Sequence, residues 1–184
     1  LIPLKPPGLM TGVGIFARVT DNLMRQENTI LTQFKAVPPN YQSMYDEFRG
    51  PNGASLASTW SQVKGSWSLD GQNNLRNTPA IGNHMIIATT MQGAQQFTSA
   101  LFSSASNAGN PRFGVILRYQ DANNYYIVYR MTGLKRLRIS KIVNGVETIL
   151  KSVELTANDP YPQNFPGTMF RLDGLADGTK LTAN

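Results

Sequence analysis

The chain has 184 residues, of which 41% are hydrophobic and 15% are charged, with 17 Lys and Arg against 11 Asp and Glu. This balance excludes an intrinsically disordered chain, and the length is sufficient for one domain with a buried core. The absence of cysteine excludes a disulfide framework and a Cys-ligated zinc site, and no apolar run approaches the roughly 20 residues that a membrane-spanning helix needs.

Residues 1–40 differ from the rest of the chain. They begin with Ile2-Pro-Leu-Lys-Pro-Pro-Gly8, which favours an extended polyproline conformation. Thr20 or Asp21 can cap a helix, and apolar residues then follow at the spacing of an amphipathic helix until Pro38-Pro39. We therefore predict an N-terminal arm with a short helix that attaches the chain to neighbouring subunits of an assembly. The residues predicted to make this attachment are Ile2, Leu4, Leu23, Ile30, Leu31 and Phe34.

From residue 41 onward the pattern is that of β-structure. Trp60 and Trp67 stand near the start of this region, and we predict that they fill its core; the alternative is that they stack on a sugar ring. Asp70-Gly71 predicts a turn between two short strands. The strands predicted in this half of the chain cover 66–69, 74–77, 84–91 and 95–102.

The stretch from Phe113 to Leu155 specifies its structure most plainly. Apolar and polar residues alternate in four runs, the period-2 pattern of strands that turn one face toward a core. Asn144-Gly145 separates the last two runs, and such a pair predicts a hairpin with a type I′ turn, since that turn needs positive φ at both central residues. We predict four consecutive strands joined by tight turns.

Five short segments over about the last three quarters of the chain carry a family resemblance. They are Arg118-Tyr-Gln-Asp-Ala-Asn-Asn-Tyr-Tyr126, Val143-Asn-Gly-Val-Glu147, Tyr45-Asp-Glu-Phe48, Thr59-Trp60 and Gly65-Ser-Trp67. Together they resemble the laminin-G-like, concanavalin A-like jelly rolls of extracellular and carbohydrate-associated proteins. The resemblance implies an all-β fold in which residues 41–184 form a jelly-roll β-sandwich after the arm of residues 1–40.

Proteins with this pattern continue through several more strands after a strand such as Met169-Phe-Arg-Leu172 and a turn such as Asp177-Gly178. The resemblance therefore implies a sandwich that is incomplete at its C-terminal end and is completed by a longer polypeptide or by neighbouring chains. Open sheet edges invite pairing with another chain. The opening segment Ile2–Gly8 also resembles the start of some tailed-bacteriophage virion proteins.

The positive charge is concentrated in one window. Between residues 112 and 141 there are seven Lys and Arg against one Asp, which equals the net charge of +6 of the whole chain. The pattern favours a solvated sheet face that discourages edge pairing; the alternative is a contact site for acidic polysaccharide, lipopolysaccharide phosphate, nucleic acid or an acidic protein. Nucleic acid is the least expected, because alternation places some of the nearby tyrosines in the core. The residues predicted for a carbohydrate or anion contact are Arg130, Arg136, Arg138 and Tyr126.

The sequence offers little for catalysis, and we predict a protein that is not an enzyme. Concanavalin A-like glucanases present carboxylates as Glu-x-Asp-x-x-Glu on one strand, and no segment matches. Asp46-Glu47, and Glu147 with Glu154, are interpreted as surface charges. The single histidine, His84, is expected at a strand edge or partly buried. Gly12-x-Gly-x-x-Ala17 matches a dinucleotide-binding pattern, but no βαβ unit surrounds it.

Asp121 and Asn123 are candidate calcium ligands, because some laminin-G-like domains bind calcium at strand ends. A single carboxylate is few for a hard cation, and the alternative is an ordinary turn in which the Asx side chains bond the backbone. No other cofactor is expected.

These patterns predict a structural subunit of an extracellular assembly, most readily a phage-type virion decoration or tail and fibre component, whose jelly roll contacts glycans or partners. The low charged fraction of 15% suits the exterior of a virion or another extracellular location. The expected partners are other subunits of an oligomer and surface polysaccharide, without membrane contact. The alternative is a carbohydrate-binding or glycan-hydrolysing module of a longer secreted enzyme, and fold alone does not decide between them.

Overall fold

The computed structural model describes residues 13–19, 29–36, 44–77, 82–91, 93, 95–104, 111–131, 133–155 and 169–184. Over these residues the chain forms fourteen strands and no helix, which confirms the all-β prediction. The strands are β1 (Val13–Val19), β2 (Thr29–Ala36), β3 (Met44–Asp46), β4 (Trp60–Lys64), β5 (Trp67–Leu69), β6 (Leu75–Asn77), β7 (Gly82–Ala88), β8 (Gln96–Ser104), β9 (Arg112–Asp121), β10 (Asn124–Met131), β11 (Arg136–Val143), β12 (Val146–Glu154), β13 (Phe170–Asp177) and β14 (Lys180–Ala183).

The strands form two antiparallel sheets. The first sheet has seven strands in the order β12-β11-β10-β9-β1-β7-β4. The second sheet has the order β14-β13-β8-β2-β6-β5, and β3 pairs with β2. The four strands predicted between Phe113 and Leu155 are β9 to β12, which are neighbours in sequence and also in the first sheet. That prediction is confirmed.

The first two strands correct the prediction of an N-terminal arm. β1 lies inside the first sheet, paired with β7 on one side and β9 on the other. β2 lies inside the second sheet between β8 and β6. The helix predicted across Ile30, Leu31 and Phe34 is wrong because these residues belong to β2, where pairing on both sides overrides a helical spacing. The other residues assigned to the arm contact, Ile2, Leu4 and Leu23, lie outside the described residues.

A hydrophobic core lies between the two sheets. The ring of Phe113 from the first sheet meets those of Phe102 and Phe170 from the second, with centroids 6.2 and 6.0 Å away. Trp60 and Trp67 are buried in the same core, as predicted. These aromatic residues hold the sheets together, because large rings contribute the most buried apolar area per side chain.

The first sheet carries a second apolar cluster on its opposite face, here called the outer face. Strand alternation turns Ile15 and Val115 toward the second sheet, and turns Phe16 and Ile116 away from it. The cluster is built from strands of the first sheet alone. Its buried members are Phe16, Met85, Ile87, Ile116, Tyr125, Ile127, Tyr129, Met131 and Ile142.

The turn between β11 and β12 confirms the predicted hairpin. Asn144 and Gly145 have φ of +50° and +78°, and Val143 pairs directly with Val146. The turn also contacts the β9–β10 turn, since the backbone N–H of Gly145 donates to the Asn123 carbonyl at 3.0 Å. The Asn144 N–H donates to the side-chain oxygen of Asn124 at 3.0 Å. The two hairpins are therefore tied together at one end of the sheet.

Replacing Gly145 with Val should lower the free energy of unfolding by roughly 1 to 3 kcal/mol, because a β-branched residue would be forced to positive φ. Thermal unfolding of the purified variant measures the loss. Thr148→Val, on the exposed strand β12 that follows the turn, is the control and should leave the transition nearly unchanged. An unaltered transition in the Gly145 variant would contradict the turn assignment.

Candidate functional site

The outer face of the first sheet is concave. The guanidinium of Arg112, on β9, contacts the carboxylate of Glu147, on β12, at 3.2 Å across the two intervening strands. At the other side of the sheet, the ammonium of Lys64 on β4 donates to the Ala122 carbonyl in the β9–β10 turn at 3.0 Å, with β7 and β1 between them in the sheet order. Contacts that skip strands are possible only where the sheet curves toward that face.

A pocket of about 230 Å³ lies in this concavity. Its apolar part comes from the outer-face cluster and its polar part from strand ends and turns. The described residues that line it are Phe16, Lys64, Asn83, Arg112, Ala122, Asn123, Tyr125, Ile127, Tyr129, Ile142, Gly145 and Glu147. Ligand pockets for drug-sized molecules usually measure about 300 to 1,000 Å³, so this pocket suits a smaller ligand.

Glu147 is the carboxylate of the pocket. It accepts a hydrogen bond of 2.6 Å from the hydroxyl of Tyr129 in addition to its ion pair with Arg112. Burial alone would raise its pKa, but the hydrogen bond from Tyr129 and the charge of Arg112 outweigh burial and hold the pKa of Glu147 below its ordinary value. The Arg112 guanidinium also lies over the Tyr129 ring, 5.4 Å from its centroid. Glu147 is thus held ionised, which suits binding better than proton transfer.

Lowering the pH should therefore weaken the fold in part through Glu147. A carboxylate whose pKa is depressed by folding contributes stability that is fully present above its unfolded pKa, ordinarily 4.5, and is lost as the pH falls through the lower folded pKa. Glu147→Gln should flatten this acid-side loss in urea unfolding series. Glu154→Gln, exposed on the same strand, is the control. Parallel acid-side curves for wild type and Glu147→Gln would contradict the assignment.

Tyr125 contributes a protonated phenol to the pocket. Burial, together with the nearby charge of Glu147, raises the pKa of Tyr125 to about 12. The hydroxyl is neutral at any physiological pH and can both donate and accept a hydrogen bond.

Lys64 reaches the pocket because of a β-bulge. Gln62 pairs with Ile86, whose side chain lies in the core between the sheets, and regular alternation would turn Lys64 to that same face. The register shifts at Val63, and Lys64 pairs instead with Met85, whose side chain lies on the outer face. One inserted residue exchanges the faces of all residues that follow it.

The residues predicted for an anion contact are divided between the two faces of the first sheet. Arg136 and Arg138 pair with Met131 and Tyr129, which places them on the outer face beside the pocket. The other two, Arg130 and Tyr126, alternate to the inner face. Arg130 is 7% exposed and lies over the ring of Phe170, with 4.9 Å to the centroid. The prediction that these four residues form one contact site is therefore wrong, because strand alternation places two of them on each face of the sheet.

The other candidate residues lie outside this pocket or in the turn at its edge. Asp121 accepts hydrogen bonds from the Asn123 N–H at 2.8 Å and from the Asn124 amide at 2.9 Å, which is the Asx turn that was the alternative to calcium binding. Within the described ranges, no group of three or more His, Cys, Asp and Glu comes together. His84 is buried on β7, next to the edge strand β4, and its ring meets the ring of Trp67 edge-on. The segment around Gly14 is a strand of an antiparallel sheet. A dinucleotide-binding glycine motif lies instead in the turn between a strand and a helix, so this match has no functional meaning.

Because comparison with known proteins finds no relative, the proposed function has to be argued from the geometry of the pocket. No protein-family model, curated protein or solved structure matches the chain. The resemblance to laminin-G-like jelly rolls stays a prediction. In the part of the chain that the structure describes, no helix is long and apolar enough to span a bilayer.

Sequence patterns did not indicate Phe16, Lys64 or Asn83 as site residues, and they indicated Glu147 only as a surface charge. The +6 window did include Arg112. The one signal in the sequence that could have indicated the pocket is the spacing of Tyr125 and Tyr129, which places two large aromatic residues on the same face of a strand. Their partners come from strands far away in sequence, so no local pattern connects them.

Proposed function

We propose that the protein is a non-enzymatic carbohydrate-binding module of jelly-roll type, and that its outer-face pocket receives a sugar. The observation that carries this proposal is the composition of the pocket. Its aromatic and aliphatic side chains are buried and form a floor, whereas its hydrogen-bonding side chains outside that floor are half-buried or exposed and form a rim. Such a module would act on a virion or another extracellular surface that meets polysaccharide.

A sugar matches both parts of the pocket. A pyranose has apolar C–H faces and hydroxyl groups around its edge, and it is small enough for a pocket of about 230 Å³. Phe16, Ile127 and the ring of Tyr125 offer the apolar surface. Asn83 and Asn123 have amides that both donate and accept hydrogen bonds, as hydroxyl groups require.

We propose binding and not hydrolysis because of the number of carboxylates in the pocket. Hydrolysis of a glycoside needs two carboxylates that flank the scissile bond. Among the described lining residues, Glu147 is the one carboxylate, and both of its oxygens are engaged by Tyr129 and Arg112. The two packed antiparallel sheets support the jelly-roll topology that the sequence resemblance implies.

Binding of a soluble oligosaccharide panel, measured by calorimetry and by saturation-transfer NMR, tests the proposal. Asn83 is exposed at the pocket wall, so Asn83→Trp should fill the entrance and abolish binding of any sugar that the wild type retains. Thr148→Trp adds the same side chain at an exposed position outside the lining and should bind like the wild type. Undiminished binding by Asn83→Trp, or no binding of any sugar by the wild type, would refute the proposal.

A second candidate is the structural subunit of an extracellular or virion assembly, and the β11–β12 hairpin favours it. Of the eight large hydrophobic residues that are exposed in the described part of the chain, six lie between Leu134 and Val153. β12 is an edge strand whose nine residues are all exposed, so a second copy of the chain could cover it. Light scattering after gel filtration tests this. Leu150→Lys should dissociate such an assembly, whereas Tyr45→Lys, at an exposed site elsewhere, should not.

A further inference from the structure

We infer that the pocket selects an acidic sugar, one that bears a carboxylate, and that Lys64 is the residue that pairs with it. This inference rests on the proposed function and adds the chemical class of the ligand.

The charges inside the pocket are not balanced. Three charged side chains line it: Lys64, Arg112 and Glu147. Arg112 and Glu147 pair with each other at 3.2 Å, and Glu147 accepts a further hydrogen bond from Tyr129 at 2.6 Å. These two groups neutralise each other, so the positive charge of the pocket is that of Lys64.

Lys64 has a neutral partner and unused donors. Its ammonium donates to the Ala122 carbonyl at 3.0 Å, and no carboxylate of the described chain forms an ion pair with it. An ammonium carries three N–H donors, of which the carbonyl occupies one. Its charge stays uncompensated in a half-buried position, where a hydrogen bond to an ionised acceptor is stronger than one to a neutral acceptor. A ligand carboxylate supplies that acceptor.

The β-bulge explains why the cation is there. Without the register shift at Val63, alternation would turn Lys64 toward the core between the sheets. Bulges are frequent beside functional sites, where they redirect one side chain. The bond to Ala122 then holds the ammonium against the turn that forms one wall of the pocket.

The surface around the pocket extends the positive charge. Arg138 and Arg136 follow on the outer face, next to Tyr129 and Met131 in the register of β10 and β11. Glu154 is the acidic residue opposite Arg136. With Lys64, Arg112 and Glu147 of the pocket, these outer-face residues comprise four positive and two negative charges. The resulting positive potential attracts an acidic polymer and would meet the carboxylates of neighbouring sugars in the same polysaccharide.

Free inorganic phosphate or sulfate fits this pocket less well than a sugar. Such an anion would pair with Lys64 but would leave the apolar surface of Phe16 and Ile127 without a partner. A carboxylated pyranose uses both, because its ring covers the floor while its carboxylate reaches the rim.

Matched pairs of ligands test the inference. The probes are oligosaccharides of glucuronic, galacturonic and mannuronic acid and sialyllactose, each beside its carboxyl-reduced form, in which an uncharged CH2OH group replaces every carboxylate. At least one acidic sugar should bind the wild type about tenfold or more tightly than its reduced form. Lys64→Gln should remove that difference by weakening the binding of the acidic sugar far more than the binding of its reduced form. Lys64→Arg should keep most of it, and Lys151→Gln, outside the lining, should bind like the wild type.

Each outcome separates the inference from the function on which it rests. If reduced and acidic sugars bind the wild type equally, or if the reduced form binds more tightly, the inference is overturned and the carbohydrate-binding proposal stands. If the acidic preference persists in Lys64→Gln, the residue assignment is overturned. If no sugar of either kind binds, the proposed function fails and the inference fails with it. The comparison of ligands in the wild type decides the charge preference even if a Lys64 variant does not fold.

Discussion

A chain that begins at Gln42 should not fold. Its loss would remove β1 from between β7 and β9, and β2 from between β8 and β6, so both sheets would be opened in the middle. Val13 and Ile15 are 1% and 0% exposed in the core, and removing a buried aliphatic side chain of this size costs about 2 to 5 kcal/mol. The two losses together are comparable with the whole stability of a domain, about 5 to 15 kcal/mol.

Circular dichroism and thermal unfolding measure this effect, and the expected result is the absence of a cooperative transition. Ile15→Asp in the full chain should act in the same direction, because it places a charge in the core without a partner. Ile15→Val is the conservative control and should cost about 0.5 to 1.5 kcal/mol. A chain from Gln42 that unfolds cooperatively at the wild-type temperature would restore the arm that the sequence predicted.

Gly65→Ala should destabilise the fold by about 2 to 6 kcal/mol, the sum of backbone strain and overpacking. Gly65 has a φ of +68°, and a Cβ atom there would overlap with the Nδ1 atom of His84. His84 is buried and its ring is fixed against Trp67, so it cannot move away without disturbing the core. The added methyl group therefore has to displace the end of β4. Urea unfolding at neutral pH measures the loss.

Gly53→Ala is the matched control. Gly53 also has a positive φ, +82°, but nothing lies within 4 Å of the position of its Cβ. Its substitution imposes backbone strain without a clash, at a cost of roughly 1 to 3 kcal/mol. The difference between the two variants isolates the contact with His84. Equal losses would show that the imidazole does not fill the space beside Gly65.

Local patterns determined the best-predicted part of this protein. β9 to β12 were recognisable because alternation and turn chemistry act over a few residues, and Asn144-Gly145 adopts the positive φ values that its turn requires. The burial of Trp60 and Trp67 was predictable for a similar reason, since large aromatic residues in strands seldom find enough apolar surface anywhere except in a core.

Long-range strand order decided the rest. Residues 29–36 have a helical spacing of apolar side chains, but two partner strands determine that they extend. The sequence predicted Arg130 as an exposed contact residue, but the register of β10 turns it to the inner face, where it lies over Phe170. Arg112 and Glu147 are 35 residues apart and meet only because the sheet curves. Lys64 enters the pocket because one extra residue at Val63 reverses the alternation. Curvature, register and bulges belong to the paired sheet, and no single strand encodes them.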